Sequence, residues 1–430
     1  MSRFTGFLLA LCLLFSCCSC TAKADRTSPE NALFCENIAD QVQSVEQLHV
    51  ASGTTLPPDN STSSTRLNYD TPYAMWFAVM DYADTLSGKT EAEFREIMRQ
   101  RFQNAANMGI NTVYLHVRAY QDAYYRSELF PMGRYADANI SYDPLEIMLE
   151  EAHALHLSAH AWINPMRGPG DETMAAMDDH YKVKQWYNDP TKNGIYLVKV
   201  GNNWWLNPAY PEVRQFIADG IEEIITQYNV DGIHMDDYFY PTTEASFDAA
   251  AFAESGASDL SEFRLEQTNA MVKQLYDTVK TEDSERIVSI SPQGTMHGNY
   301  DSQYADVRRW ASTPGYCDVL IPQVYFGFEN ETAPFEETAA LWAETVTCED
   351  VSLVIGIGTH KLGKEDTWAG SGSEEWQGHL DIPQRQVELL LHMDNVDGIA
   401  IYDYDTTFCP KTAVDAMTQQ VEEIGKMLRH

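Results

Sequence analysis

A chain of 430 residues, 44% hydrophobic and 11% aromatic, carries enough apolar surface for a large buried core, which excludes disorder over most of its length. Its 64 acidic against 29 basic residues give a formal net charge of −35, a balance that repels phosphate backbones and anionic headgroups and argues against a nucleic-acid partner.

Residues 1–20 read as a lipoprotein signal peptide. Arg3 precedes an apolar run from Phe4 to Phe15 that is too short to span a bilayer, which takes roughly 20 residues. It leads into Leu14-Phe15-Ser16-Cys17-Cys18-Ser19-Cys20, which resembles a bacterial lipobox. Cys17 is the first choice for lipidation, with Cys18 and Cys20 left open, and this predicts an extracytoplasmic protein anchored to the membrane by lipid. Residues 21–69 are polar and irregular, with a Pro57-Pro58 pair and a Ser/Thr-rich run to Thr65, the composition of a flexible linker. Beyond the leader only Cys35, Cys317, Cys348 and Cys409 remain, too far apart for a zinc site; they read as buried small hydrophobes, with one disulfide left open.

From residue 70 to 430 the chain alternates. Apolar runs of strand length fall at 73–79, 112–117, 158–163, 232–235, 287–290, 318–325, 353–357 and 398–402. Helical patterns follow at 91–108, 144–155, 211–228, 260–280, 302–311, 335–346, 383–393 and 413–428, with apolar residues recurring at three and four positions, as in Phe216, Ile217, Ile221, Ile224 and Ile225. Eight strand–helix units predict an α/β fold of the (β/α)8 TIM-barrel type. A doubly wound sheet would put a glycine-rich loop after its first strand, and here that strand runs into Met80-Asp81-Tyr82 instead.

In a barrel the chemistry is assembled at the C-terminal strand ends, and these are polar and aromatic throughout. The first offers Trp76; the second His116, Arg118 and Asp122; the third His160, Trp162 and Asn164. An insertion brings Trp204, Trp205 and Asn207, and the fourth strand His234, Asp236, Asp237 and Tyr238. The sixth gives Gln323 and Tyr325, and the eighth Tyr402 and Asp403. Rings beside amides, carboxylates and histidines are what a sugar needs, with its apolar faces and hydroxyl rim. The expected partner is a polysaccharide. No compact ligand set calls for a metal, and no motif for another cofactor. Taken singly, Trp76 or Trp162 reads as core, His116 and His160 as buried hydrogen-bonded residues, and Asn-Pro pairs as turns.

Residues 111–118 with 122–128, His160-Ala161-Trp162-Ile163-Asn164-Pro165, Leu206-Asn207-Pro208 and the string 230–241 resemble the bacterial glycosyl-hydrolase-like 10 family of lipoproteins. The resemblance implies a glycosidase barrel acting on cell-wall glycan, with peptide-free peptidoglycan strands as one substrate. The spacing from Asp231 to Asp236 is similar to the fourth strand of retaining glycosidases, which implies Asp236 as nucleophile or oxocarbenium stabiliser and Asp231 as structural. Asp237, Asp122, Glu329, Asp403 and Asp405 stay open for acid/base work, and loss of catalysis in a glycan-binding lipoprotein is the competing function.

Overall fold

The computed structural model describes residues 66–137 and 139–429. Eight parallel strands close into a barrel: β1 (Tyr73–Phe77), β2 (Thr112–Arg118), β3 (Ser158–Ile163), β4 (Gly232–Met235), β5 (Ile287–Ile290), β6 (Val319–Leu320), β7 (Ser352–Gly358) and β8 (Gly398–Tyr402). Neighbours in the barrel are neighbours in sequence, and β8 returns to β1 through Tyr73↔Ile399. The principal helices are α1 (Glu91–Met108), α2 (Pro144–Ala154), α3 (Pro211–Gln227), α4 (Leu260–Glu282), α5 (Val307–Ser312), α6 (Phe335–Thr345), α7 (Ile382–Leu390) and α8 (Val414–Leu428). The expected TIM barrel is the observed fold.

Alternation along the strands builds two apolar layers. Ile233 and Met235 of β4 join Val113, Leu115 and Ala161 in the large core beneath the helices. Trp76, Tyr114, Trp162, Ile321, Val354 and Ala400 fill the barrel interior. Helix ends follow local chemistry: Thr90 and Glu93 form a reciprocal capping box at α1, which Gly109 terminates at φ 99°, and the Asp143 carboxylate accepts from Leu145 N and Glu146 N at the start of α2. Between β3 and β4 the insertion folds as a three-stranded antiparallel sheet, Arg167–Gly170, Asn203–Leu206 and Leu197–Val200, with Arg167 paired to Trp205.

Three expectations shift. The run at 318–325 forms a ladder only at Val319–Leu320, because Pro322 has no N–H to donate; Gln323 resumes contact through isolated bridges to Gln293 and Gly356. The helix expected at 302–311 starts at Val307, after a π-helical turn at Gly298–Gln303. Residues 66–69 are already docked rather than linker: Arg66 pairs with Asp283 at 2.8 Å, and Leu67 N donates to Asp231 at the start of β4 at 2.9 Å. The signal peptide, its cysteines and the linker up to 65 lie outside the described residues. Cys409 is disulfide-bonded rather than a free core thiol, whereas Cys317 and Cys348 are free.

Candidate active site

Along β4 the inward positions are Gly232, His234 and, just past the strand, Asp236. Gly232 leaves room for His160, whose ring nitrogen would lie 2.7 Å from a Cβ there. His234 sits above, fully buried, with Trp76 Nε1 donating to its Nε2 at 2.9 Å and its Nδ1 2.8 Å from Ser289 Oγ. It also stacks on Tyr114 at 4.1 Å between centroids. Asp236 tops this column, 3% exposed, accepting from Trp162 Nε1 at 3.1 Å and from Tyr238 N at 3.2 Å. Trp162 is itself stacked on His116 at 3.7 Å.

Asp237 turns the other way, over the ends of β5 and β6, and is partly exposed. Gln303 Nε2 donates to it at 3.4 Å, and the Gln323 and Gln293 side chains also hydrogen-bond it. Across the mouth Tyr325 and Tyr402 stack at 5.5 Å, with His360 edge-on to both.

The two carboxyls differ electrostatically. Burial first, and then the charge of Asp237, hold Asp236 well above the ordinary carboxyl range, against smaller opposing effects of Tyr238 N, Arg167 and Trp162. Burial raises Asp237 too, but three glutamine amides favour its ionised form. Asp236 is the more strongly raised of the two, because the charge of Asp237 adds to its own burial. His116, His160 and His234 are pushed down by burial, His160 to about 4, and stay neutral.

Several expected substrate contacts are spent on structure. Arg118 is fully buried and faces the helices: a bulge skips Val117, so that His116 pairs with Trp162 but Arg118 with Ile163, an outward position. Its guanidinium lies 4.7 Å above Phe130. Asp122 holds its own loop by accepting from Ala119 N and Tyr120 N, and Asn164 donates to the Ala119 carbonyl. Asn207 ties Ile195 and Ala209 within the insertion. Asp403 caps a short helix, accepting from Thr406 N and Oγ1. His160 lies low in the barrel, 3.0 Å from Ser158 Oγ, and Trp76 is 1% exposed. Trp204 is packed edge-on to Tyr187 and donates to Asp171. Asp405 pairs with Arg101 at 2.6 Å, and Asp231 accepts from Leu67 N, Ala159 N and His153 Nε2.

Arg167 is not among the residues that the sequence singles out. It lies just past Asn164-Pro165 in a glycine-rich stretch and comes to the mouth between Tyr120 and Tyr238, at 4.3 and 4.2 Å. Gln303 was equally invisible, since it sits in the π-helical turn.

A closed barrel with paired carboxyls at a C-terminal strand end, ringed by aromatics and amides, defines a glycosidase-like protein. The chain belongs to the glycosyl hydrolase-like 10 family, which matches residues 73–370. It is 30% identical over 344 residues to glycosyl hydrolase YngK of Bacillus subtilis (strain 168), a match spanning 74% of this chain and 66% of that one. It is 26% identical over 347 residues to glycosyl hydrolase DigH of Escherichia coli (strain K12), spanning 74% and 77%. The fold is shared with the glycoside hydrolase domain of PgaB (BpsB) from Bordetella bronchiseptica at TM-score 0.54 and 11% identity, over 82% of this chain and 99% of that domain.

Proposed function

We propose that this protein is a glycoside hydrolase acting on a bacterial cell-wall or other polysaccharide, peptide-free peptidoglycan strands first among them. The observation that carries the reading is two adjacent carboxyls at the end of β4 in different surroundings: Asp236 is buried and accepts from Trp162 Nε1 and Tyr238 N, its pKa raised by burial and by Asp237, while Asp237 is partly exposed beside Gln303. Such a pair fits acid-assisted cleavage, in which Asp236 gives its proton to the departing glycosidic oxygen. The Asp237 carboxylate stabilises the positive charge at the anomeric carbon and takes a proton from the water that adds there. This reverses the roles implied by the retaining-glycosidase spacing.

A docking module that binds glycan without cutting it draws support from one feature. Strands β5 and β6 run into Gln293 and Gln323, not into a carboxyl that would face Asp236 across a sugar. Fragment release from a glycan panel led by peptide-free strands decides between them. Hydrolysis lost in both Asp236→Asn and Asp237→Asn supports the enzyme, and binding without fragments from the wild type supports the module.

An extracytoplasmic, lipid-anchored protein is part of the same proposal, with Cys17 as the lipidated residue. The leader pattern supports it, as does the disulfide at Cys409, a bond that persists in oxidising compartments. Detergent partitioning that survives Cys17→Ala, Cys18→Ala and Cys20→Ala combined would rule the anchor out.

A further inference from the structure

The mouth carries a row of alternating cations and rings. Arg134 lies 5.2 Å from the Tyr120 ring, Arg167 lies 4.3 Å from the same ring and 4.2 Å from Tyr238, and Tyr238 is 6.3 Å from Trp205. Four segments contribute: Tyr120 follows β2, Arg167 and Trp205 pair across the inserted sheet, and Tyr238 follows Asp236 by two positions. The loop beneath is fixed, because Gln121 Nε2 donates to the carbonyls of Asn164, Pro165 and Arg167 at 3.4, 3.0 and 3.3 Å.

Neither arginine has a carboxylate within 4.0 Å among the described residues, although the chain carries 64 acidic residues. Arg167 is partly exposed, and it acts on Asp236 by through-space attraction without pairing with it. A guanidinium stacked by its faces keeps its in-plane N–H fork directed outward, the geometry that meets a carboxylate with two hydrogen bonds. Packing alone would be served by a neutral side chain, at no cost in holding a cation. At a net charge of −35 the protein repels an anionic glycan at long range, but that field is screened beyond about 8 Å at physiological salt, so a cation in direct contact decides local affinity.

We propose that Arg167, stacked between Tyr120 and Tyr238 with Arg134 behind, is a specificity-determining residue that binds a carboxylate on the substrate sugar next to the scissile bond. The ligand class is an acidic glycan, either a muramic acid whose lactyl group is free or a hexuronic acid. The inference rests on the hydrolase reading and adds the charge of the substrate to it.

The test uses the full chain carrying Asp236→Asn, so that binding is measured without turnover. Calorimetric titration compares peptide-free peptidoglycan strands, the same strands with their carboxyls converted to methylamides, an oligogalacturonide and a neutral chitin oligosaccharide. An acidic-to-neutral affinity ratio of about tenfold or more is expected, the size of one charge-assisted contact. Arg167→Met brings that ratio close to one, and Arg167→Lys retains part of it. Preference for the strands or for the uronide identifies the source of the carboxylate.

Equal affinity for amidated and native strands in the parent protein overturns the proposal, and so does an Arg167→Met protein that loses both arms equally with the ratio unchanged. The amidation arm needs no variant and stands even if Arg167→Met fails to fold. If wild-type protein releases fragments irrespective of substrate charge, the proposal falls and the hydrolase reading stands; if no glycan is bound or cut, both fall.

Discussion

The indole N–H of Trp76 donates to Nε2 of His234 at 2.9 Å, inside the barrel and below Asp236. Because Nε2 accepts, the ring proton sits on Nδ1, which faces Ser289 Oγ at 2.8 Å. The indole thereby fixes the tautomer, Ser289 Oγ accepts from the other nitrogen, and His234 is a support for the site rather than a sugar ligand.

Removing His234 should therefore cost stability. His234→Ala leaves a cavity and strands a buried indole N–H, for which about 3 kcal/mol is expected in urea unfolding. Trp76→Phe keeps most of the apolar volume and removes the donor, and should cost less, roughly 1–2 kcal/mol. A His234→Ala protein with unaltered unfolding would mean that the column beneath Asp236 does not bear on the fold.

The barrel was legible because its strands and helices have different periods, and the expected bounds of β3, β4, β5 and β8 are the observed ones. The ring of polar strand ends was legible for the same reason. What could not be read is which way a side chain turns once the ladder becomes irregular. Arg118 has the parity of His116 in sequence, yet a one-residue bulge sends it outward. Asp122, Asn164 and Asp403 have the composition of ligands, and each is consumed by a nearby backbone group. Arg167 lies beyond the strand in a glycine-rich segment without periodicity, and only the inserted sheet brings it to the mouth.

The bulge at Arg118 gives a prediction that separates substrate binding from packing. Arg118→Met should retain glycan hydrolysis and change stability by no more than about 1–2 kcal/mol, since a well-packed apolar chain often replaces a buried cation at little cost. Gly220 on α3 lies against it: a Cβ there would come within 2.0 Å of Arg118 Nη1 and 2.7 Å of the Phe130 ring. Gly220→Ala should destabilise by roughly 1–3 kcal/mol, and part of that should return when combined with Arg118→Met. A selective loss of turnover in Arg118→Met would restore it to the substrate.

The neutral histidines of the interior set an acid limit. In the unfolded chain each binds a proton near pH 6.5, whereas burial holds His116, His160 and His234 neutral well below that, His160 to about 4. Here the unfolded state binds more protons, so stability is full above pH 6.5 and falls as the pH drops toward the folded values. Melting temperatures from pH 7.5 to 4.5 should decline on the acid side, and the decline should be shallower in His160→Asn. An identical slope in that variant would place the loss elsewhere.

Asp236 has the opposite sign. Its folded pKa is raised, so the native state binds the proton more tightly than the unfolded chain does, and stability falls as the pH rises from about 3.9 through the folded value. Asp236→Asn removes that penalty and keeps an acceptor for one of the two donors, since Trp162 Nε1 bonds one carboxyl oxygen and Tyr238 N the other. The variant should melt higher than wild type at pH 7.5, with a gain that shrinks toward pH 4, each tenfold difference in proton affinity between folded and unfolded chain being worth roughly 1.4 kcal/mol. Hydrolysis should nevertheless fall by about 10²–10⁴-fold, since an amide has no proton to give the leaving oxygen. Asp237→Asn should behave differently. It should lose turnover, and it should lower the pKa of Asp236 by removing the neighbouring charge. The basic limb of any residual activity would then move to lower pH. If Asp236→Asn instead melts lower than wild type at pH 7.5 and gains stability as the pH falls, Asp236 is an anion in the native protein. The acid role then passes to Asp237, and the assignment implied by the spacing of β4 is restored.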